Sequence, residues 1–253
     1  PEEVNRHIVD RISDFNLVYT EHARRHLLAE GQPHRRVILT GSPMKEVLEH
    51  YRPGITASRI LETLGLESGR YVLVSMHREE NVDSPRHQRT HYDASVLFPA
   101  LLDALAAVHE RFAMPVLVST HPRTRKRLEA LGRPFEQAGI SFAKPFGFLD
   151  YNRLQMDAFC VLSDSGTITE ESALLGFPAV TIRRSMERPE GLDTGSIILT
   201  GLEADIIVQA VEMVTDAWRE GRIPPVPADY QIENVSQRVV NLILSGTAPL
   251  QVE

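Results

Sequence analysis

The chain has 253 residues, 42% hydrophobic and 24% charged, with 27 Lys+Arg against 34 Asp+Glu for a net charge of −7. This composition is globular rather than disordered or collagen-like, and the length suits one large domain or two smaller ones. The acidic balance argues against a general nucleic-acid footprint, the one cysteine cannot form an internal disulfide, and no apolar run approaches the ~20 residues that span a membrane.

The opening residues PEEVNRHIVD are too charged for a signal peptide, which leads to the expectation of a cytoplasmic protein. The first residue is Pro1 rather than Met, which raises the expectation of a longer natural chain. In chain order, residues 4–12 read as a helix, 14–19 as a strand, 21–30 as a helix and 37–40 as a strand closed by Gly41-Ser42-Pro43. These first elements contain too few strands for a doubly wound sheet and resemble the tail of a domain. Four short apolar runs follow, at 71–75, 115–119, 159–162 and 178–182. They are rich in β-branched residues and apolar at consecutive positions, as strands buried on both faces are. Helical periodicity fills the intervals at 97–112, 167–175 and 202–218, with Gly176 as a stop after the second. Strand–helix alternation of this kind predicts a parallel sheet in an α/β fold. Pro224-Pro225-Val226-Pro227 reads as a linker before a last helix at 234–244. The predicted division is therefore 1–60, 61–223 and 224–253.

Ligands of open α/β sheets bind beyond the C-terminal strand ends. The residues that follow the four strands are Met76-His77-Arg78-Glu79-Glu80-Asn81, then Thr120-His121-Pro122-Arg123, then Ser163-Asp164-Ser165-Gly166, then Arg183-Arg184 with Glu187-Arg188-Pro189-Glu190 beyond. Polar, titratable and basic groups thus collect at one sheet edge, which suits an anionic ligand. Ser165-Gly166-Thr167 opens a helix directly after a strand, where free N–H groups and the helix dipole attract phosphate. The same residues also fit a plain cap, with Thr167 and Glu170 in capping-box spacing. Glu171 could hold ribose hydroxyls or only favour the positive helix end. His77 and His121 are candidate acids or phosphate ligands, or hydrogen-bonded structural histidines. Arg123, Arg125, Lys126 and Arg127 read as a solvated helix face. Arg188 suits a diphosphate because arginine can bond phosphate oxygens in pairs. No metal spacing such as H-E-x-x-H occurs and Cys160 lies mid-strand, so no metal is expected. Neither a P-loop nor a G-x-G-x-x-G turn is present.

Taken together, the motifs resemble the UDP-N-acetylglucosamine 2-epimerase family in its non-hydrolysing bacterial branch. The matching pieces are Pro1-Glu-Glu-Val-Asn-Arg6, Tyr19-Thr-Glu21, Thr40-Gly-Ser-Pro43, His77-Arg-Glu-Glu-Asn-Val-Asp83, Ser119-Thr-His-Pro122, Ser163-Asp-Ser-Gly-Thr-Ile-Thr-Glu-Glu171 and Glu187-Arg-Pro-Glu190. They run in family order across nearly the whole chain and are specific jointly. Their wording is similar to members that act on modified UDP-sugars for surface polysaccharide, such as UDP-2,3-diacetamido-glucuronate. The resemblance implies the glycosyltransferase-B architecture of two Rossmann-like domains, here with the N-terminal one incomplete. It also implies an isomerase reaction: UDP is eliminated to leave a 2-acetamidoglucal and is added back after reprotonation on the other face of C2. No metal or nicotinamide cofactor is required, and homodimers are common.

By resemblance, Glu2 matches a catalytic carboxylate, Arg6 a neighbouring site residue and His77 a histidine near the leaving diphosphate. His121 and Tyr151 match positions lining the nucleotide pocket. Ser165 and Gly166 would bind the diphosphate, Glu171 the ribose and Arg188 phosphate. Two departures stand out. The family's G-T-R-P-E loop, a later aspartate motif and an H-x-E-A-G motif precede its P-E-E and have no counterpart here. Residues 84–95 are longer than the usual connection and read as a loop insertion. A hydrolysing epimerase, a glycosyltransferase of the same architecture and a non-catalytic UDP-sugar binding module are the alternatives. Because the upstream motifs carry further catalytic groups, the 253-residue chain alone is expected to show little or no epimerase activity. Formation of a 2-epimer from a UDP-HexNAc by this chain would overturn that expectation.

Overall fold

Helices and strands alternate along the chain in two separately packed units, Pro1–His50 with Val226–Glu253, and Tyr51–Pro225. The computed structural model describes residues 2–76, 94–120, 129, 136–137, 139–183, 185–186 and 188–245. The smaller unit opens with α1 (Glu2–Ile12), β1 (Asn16–Val18), α2 (Glu21–Ala29) and β2 (Val37–Leu39). β1 and β2 pair in parallel with Leu17 opposite Ile38. Val18, Leu27 and Val37 form the small core beneath them. Thr20 caps α2 by accepting from the Ala23 N–H at 3.3 Å, as a β-region threonine before a helix does.

Helix α3 (Met44–Ala57) holds Pro53 in its interior, and the boundary between the units falls within it, after His50. No element was read from the sequence between Pro43 and residue 71, and an interior proline ordinarily breaks a helix. Close packing accounts for Gly54: an added Cβ there would lie 3.1 Å from Leu149.

The larger unit continues with α4 (Ile60–Leu64), β3 (Val72–Met76), α5 (Ala94–Phe112), β4 (Val116–Thr120), β5 (Glu136–Gln137), β6 (Ile140–Ala143), α6 (Phe148–Met156), β7 (Cys160–Ser163), α7 (Ile168–Leu175), β8 (Ala179–Thr181), α8 (Pro189–Asp193), β9 (Ile198–Leu199) and α9 (Ala204–Arg219). The sheet order is β5-β6-β4-β3-β7-β8-β9, parallel throughout except for β5 against β6. β3, β4 and β7 are buried at every position, the signature of strands covered on both faces. Val72, Val118, Cys160 and Val180 share one cluster with Leu101, Leu105 and Val108 of α5 and Ile207 and Val211 of α9. Burial pushes the Cys160 thiol up to about 12, which leaves it an inert apolar filler. This is the parallel α/β fold expected from the alternation, and it is Rossmann-like as the resemblance implies. α4, α6 and α8 and strands β5, β6 and β9 are not among the elements read from the sequence.

The sequence-based cuts at 60 and 223 compare with 50 and 225 here, and the last segment belongs with the smaller unit. That segment ends in α10 (Val235–Ser245) and is tied down by exchanged caps. Asp229 Oδ2 accepts from the Glu21 N–H at the start of α2 at 2.9 Å, and Glu46 of α3 accepts from the Ser236 N–H of α10 at 3.1 Å. Gly41, at φ +92°, brings the backbone so near Ile232 that a Cβ would sit 2.9 Å from it. Among the described residues no helix is long and apolar enough to cross a membrane.

α5 ends at Ala113, whose φ of +51° is the left-handed conformation usually given to glycine. A Cβ in that region costs roughly 1–2 kcal/mol. Ala113→Gly is therefore expected to raise stability by roughly 0.5–1 kcal/mol after the added freedom of the unfolded glycine is subtracted. Urea denaturation of the two forms checks this, and a lower midpoint for the variant would contradict it.

Candidate functional site

The strand order reverses beside β3: the chain proceeds from β3 to β4 on one side and returns to place β7 on the other. A crevice forms outside the C-terminal strand ends at such a point. Its floor is the contact between the two central strands, where the Asp164 N–H donates to the Ser75 carbonyl at 3.2 Å. Asp164 is fully buried, while Ser165, Gly166 and Thr167 after it are half-buried and open α7.

This turn differs from an ordinary capped helix start. Thr167 is the cap residue but makes no side-chain cap bond. Its hydroxyl lies 2.9 Å from that of Ser165, and Ser165 Oγ accepts from the Thr167 N–H at 3.3 Å. The capping box that Thr167 and Glu170 suggest is not formed, because Glu170 is turned toward a different partner. Its carboxylate, 2% exposed, takes Arg188 Nε at 3.3 Å and Nη2 at 3.2 Å, both on Oε2. Glu170 Oε1 is buried without a hydrogen-bond partner among the described residues.

Arg188 stands immediately before α8, with Pro189 at its first position. α8 is pressed onto α7 so closely that a Cβ on Gly191 would come 2.2 Å from the Thr169 methyl. That approach holds the half-buried Arg188 against Glu170 near the start of α7. Arg183, also buried, follows β8 at the same sheet edge.

On the other side of the crevice stands α6. Tyr151 is hydrogen-bonded to the Ser75 side chain. Burial raises its phenol well above the usual range, the Ser75 bond opposes this, and the Glu171 and Asp164 charges add to it. The phenol therefore stays protonated at any physiological pH. One turn further on, Gln155 Nε2 donates to Glu171 Oε2 at 2.6 Å. The larger unit thus brings Tyr151, Ser165, Gly166, Glu171 and Arg188 to one edge.

The other expected site residues fall elsewhere. Arg6 lies on α1 of the smaller unit, exposed, 3.6 Å from Glu3. Glu2 is the first residue of α1. His77, His121, the basic residues 123, 125, 126 and 127, Arg184, Glu187 and most of the 84–95 segment lie outside the described residues. Among the described residues no group of three or more His, Cys, Asp or Glu could hold a metal ion. Sequence reasoning did not assign Gln155, the Ser75 contact or the pairing of Glu170 with Arg188. For Gln155 a signal existed, since it follows Tyr151 by four residues and so shares its helix face.

The description "UDP-N-acetylglucosamine 2-epimerase" belongs to the family whose model matches residues 1–244. The solved UDP-N-acetylglucosamine 2-epimerase of Rickettsia bellii is 40% identical with a TM-score of 0.83, over 97% of this chain and 63% of that one. That of Methanocaldococcus jannaschii, crystallised with UDP-GlcNAc and UDP, is 26% identical with a TM-score of 0.84, over 97% and 65%. The UDP-2,3-diacetamido-2,3-dideoxy-D-glucuronate 2-epimerase of Pseudomonas aeruginosa is 30% identical over 213 residues, 83% of this chain and 55% of that protein. The first curated relatives are spanned over 65%, 66% and 55% of their own lengths.

Removal of Arg188 leaves the Glu170 carboxylate buried without its cation. Arg188→Ala is expected to cost roughly 3 kcal/mol of stability in the larger unit. The double variant with Glu170→Gln should recover much of that loss in a denaturation cycle. Additive losses would mean that the pair contributes nothing.

Proposed function

We propose, from the fact that this chain belongs to the UDP-N-acetylglucosamine 2-epimerase family, that it is the UDP-binding and larger part of a UDP-sugar 2-epimerase, an isomerase. Its substrates would be UDP-N-acetylglucosamine or a modified UDP-HexNAc and the corresponding 2-epimer, UDP-N-acetylmannosamine in the unmodified case. The surrounding process would be surface polysaccharide synthesis by a cytoplasmic homodimer. The observation that carries this reading is the half-buried Ser165-Gly166-Thr167 turn at the start of α7, with Arg188 held beside that helix.

In this reading the diphosphate lies at the α7 N-terminus, where backbone N–H groups and the positive dipole end favour anions. Ser165 and Gly166 contact it, and Arg188 supplies a fixed cation. Glu171 accepts from ribose hydroxyls, and Tyr151 with His121 lines the nucleotide pocket. The proton on C2 leaves to a carboxylate, for which Glu2 is the candidate, with Arg6 one helical turn further along. The C1–O bond to UDP breaks, a C1=C2 double bond forms, and charge develops on the departing diphosphate. Arg188, the helix end and His77 stabilise that charge. Reversal, with the proton delivered to the opposite face of C2, returns UDP to C1 of the inverted sugar. No metal or redox cofactor enters this balance.

Isothermal titration of the chain with UDP tests the site. Binding is expected, and Ser165→Ala should weaken it on the order of fivefold, the effect of one hydrogen bond to a charged group in a half-buried place. No loss would remove Ser165 from the diphosphate site. Product analysis after incubation with UDP-GlcNAc tests the reaction class. Binding with little or no turnover is what the reading expects of this part of the enzyme; a UDP-sugar epimer would show that the chain alone suffices, whereas free sugar with UDP or a new glycoside points to the alternatives.

A further inference from the structure

The turn between β7 and α7 uses several of its donors internally. The Asp164 N–H goes to the Ser75 carbonyl, the Ser165 N–H to Ser163 Oγ at 3.1 Å and the Thr167 N–H to Ser165 Oγ at 3.3 Å. The last two are successive bonds from a backbone N–H to the hydroxyl two residues before it, a local pattern that serine favours in turns. Ser163 is the last residue of β7 and is fully buried, so this ladder hangs from the sheet. With three backbone donors already taken, the direction of the Ser165 hydroxyl proton matters to what the turn can offer an anion.

A serine hydroxyl has one proton and two acceptor positions. At Ser165 the Thr167 N–H fills one acceptor position, and the Thr167 hydroxyl lies 2.9 Å from the same oxygen. This pair has two arrangements. If Ser165 donates to Thr167, its proton is used and lone-pair density faces a ligand. If Thr167 donates to Ser165, both acceptor positions are filled and the Ser165 proton points away from the pair. The second arrangement presents a donor to a diphosphate and the first presents repulsion, so an anion selects the second. A hydroxyl that already accepts a hydrogen bond is also the stronger donor. The Thr167 hydroxyl is available for this because it makes no cap bond to α7.

Resting on the reading of Ser165 as a diphosphate contact, we propose that Thr167 is a positioning residue whose hydroxyl donates to Ser165 Oγ and so directs the Ser165 proton onto the diphosphate. It acts through Ser165 and does not touch the ligand. Thr167 therefore gives the turn its polarity, while the ladder from Ser163 gives the turn its shape.

The test is titration calorimetry of the 253-residue chain and its variants with UDP. Thr167→Val keeps the branched shape and the backbone N–H while removing the hydroxyl. Its backbone already sits in the helical region, at φ −74° and ψ −16°, which valine adopts. The variant is expected to weaken UDP binding on the order of threefold, because a hydroxyl without its backing samples three staggered positions. That loss should be smaller than the loss from Ser165→Ala. Thr167→Ser returns the hydroxyl and should restore most of the affinity. In a Ser165→Ala background, Thr167→Val should cost nothing further, since the relay then has no end. If Ser165→Ala weakens binding and Thr167→Val does not, the positioning role is overturned while the diphosphate reading stands. A loss from Thr167→Val that equals or exceeds that of Ser165→Ala, or that is the same in both backgrounds, would make Thr167 a ligand contact and overturn the proposal. If Ser165→Ala leaves the affinity unchanged, or the unsubstituted chain binds no UDP, both are overturned. A Thr167→Val protein that loses affinity together with its unfolding midpoint, with no recovery in Thr167→Ser, would show a structural role and overturn the proposal.

Discussion

The backbone bond between Asp164 and Ser75 is the interaction on which the candidate site depends. It marks the place where the chain, having built outward through β4 and β6, returns to pair β7 with the far side of β3. A parallel sheet that reverses its order must send its loops apart at that point, and the opening lies between them. The element entering β7 and the element leaving it, α6 and α7, are brought to the opening by this pairing. Tyr151, Gln155, Ser165 and Glu171 are therefore gathered by connectivity before any side-chain contact is counted. The contacts then fix directions: Ser75 to Tyr151, Gln155 to Glu171, Arg188 to Glu170.

Much of this was legible in the residues. Consecutive apolar, β-branched runs announce strands covered on both faces, and β3, β4, β7 and β8 were each located within a residue or so. Gly176 marked the end of α7 because a left-handed residue closes it, at φ +74°. Those of the polar residues after these strands that are described lie at one sheet edge. Other features were hidden for physical reasons. α3 continues through Pro53, which local propensity treats as a break. The Thr167 and Glu170 spacing matches a capping box, yet Glu170 finds its partner 18 residues away. Local pattern cannot weigh an offer from that distance. Gln155 looks unremarkable beside Leu154 and Met156, and its meaning depends on a carboxylate carried by another helix.

The two adjacent carboxylates of α7 show how one helix can serve two purposes. Glu170, deeply buried, is neutralised by an arginine that the close fit of Gly191 onto Thr169 keeps in reach. Glu171, half-buried, accepts instead from the neutral amide of Gln155. A shift of α8 by the width of a methyl group would release Arg188 and strand Glu170. The glycine after Pro189-Glu190 is thus a steric requirement of the electrostatics.

The smaller unit is assembled from the two ends of the chain, with the whole larger unit between them. As a ribosome delivers the polypeptide, residues 2–50 emerge long before Asp229 and Gly41's neighbour Ile232 exist to join them. The larger unit is contiguous and can close on its own core as it appears. The helix start at Glu21 and the left-handed turn at Gly41 wait for Asp229 and Ile232. Once the larger unit has folded, it replaces a long flexible loop with a compact spacer. The entropy of bringing the two ends together then falls, so the order of synthesis favours the order of assembly.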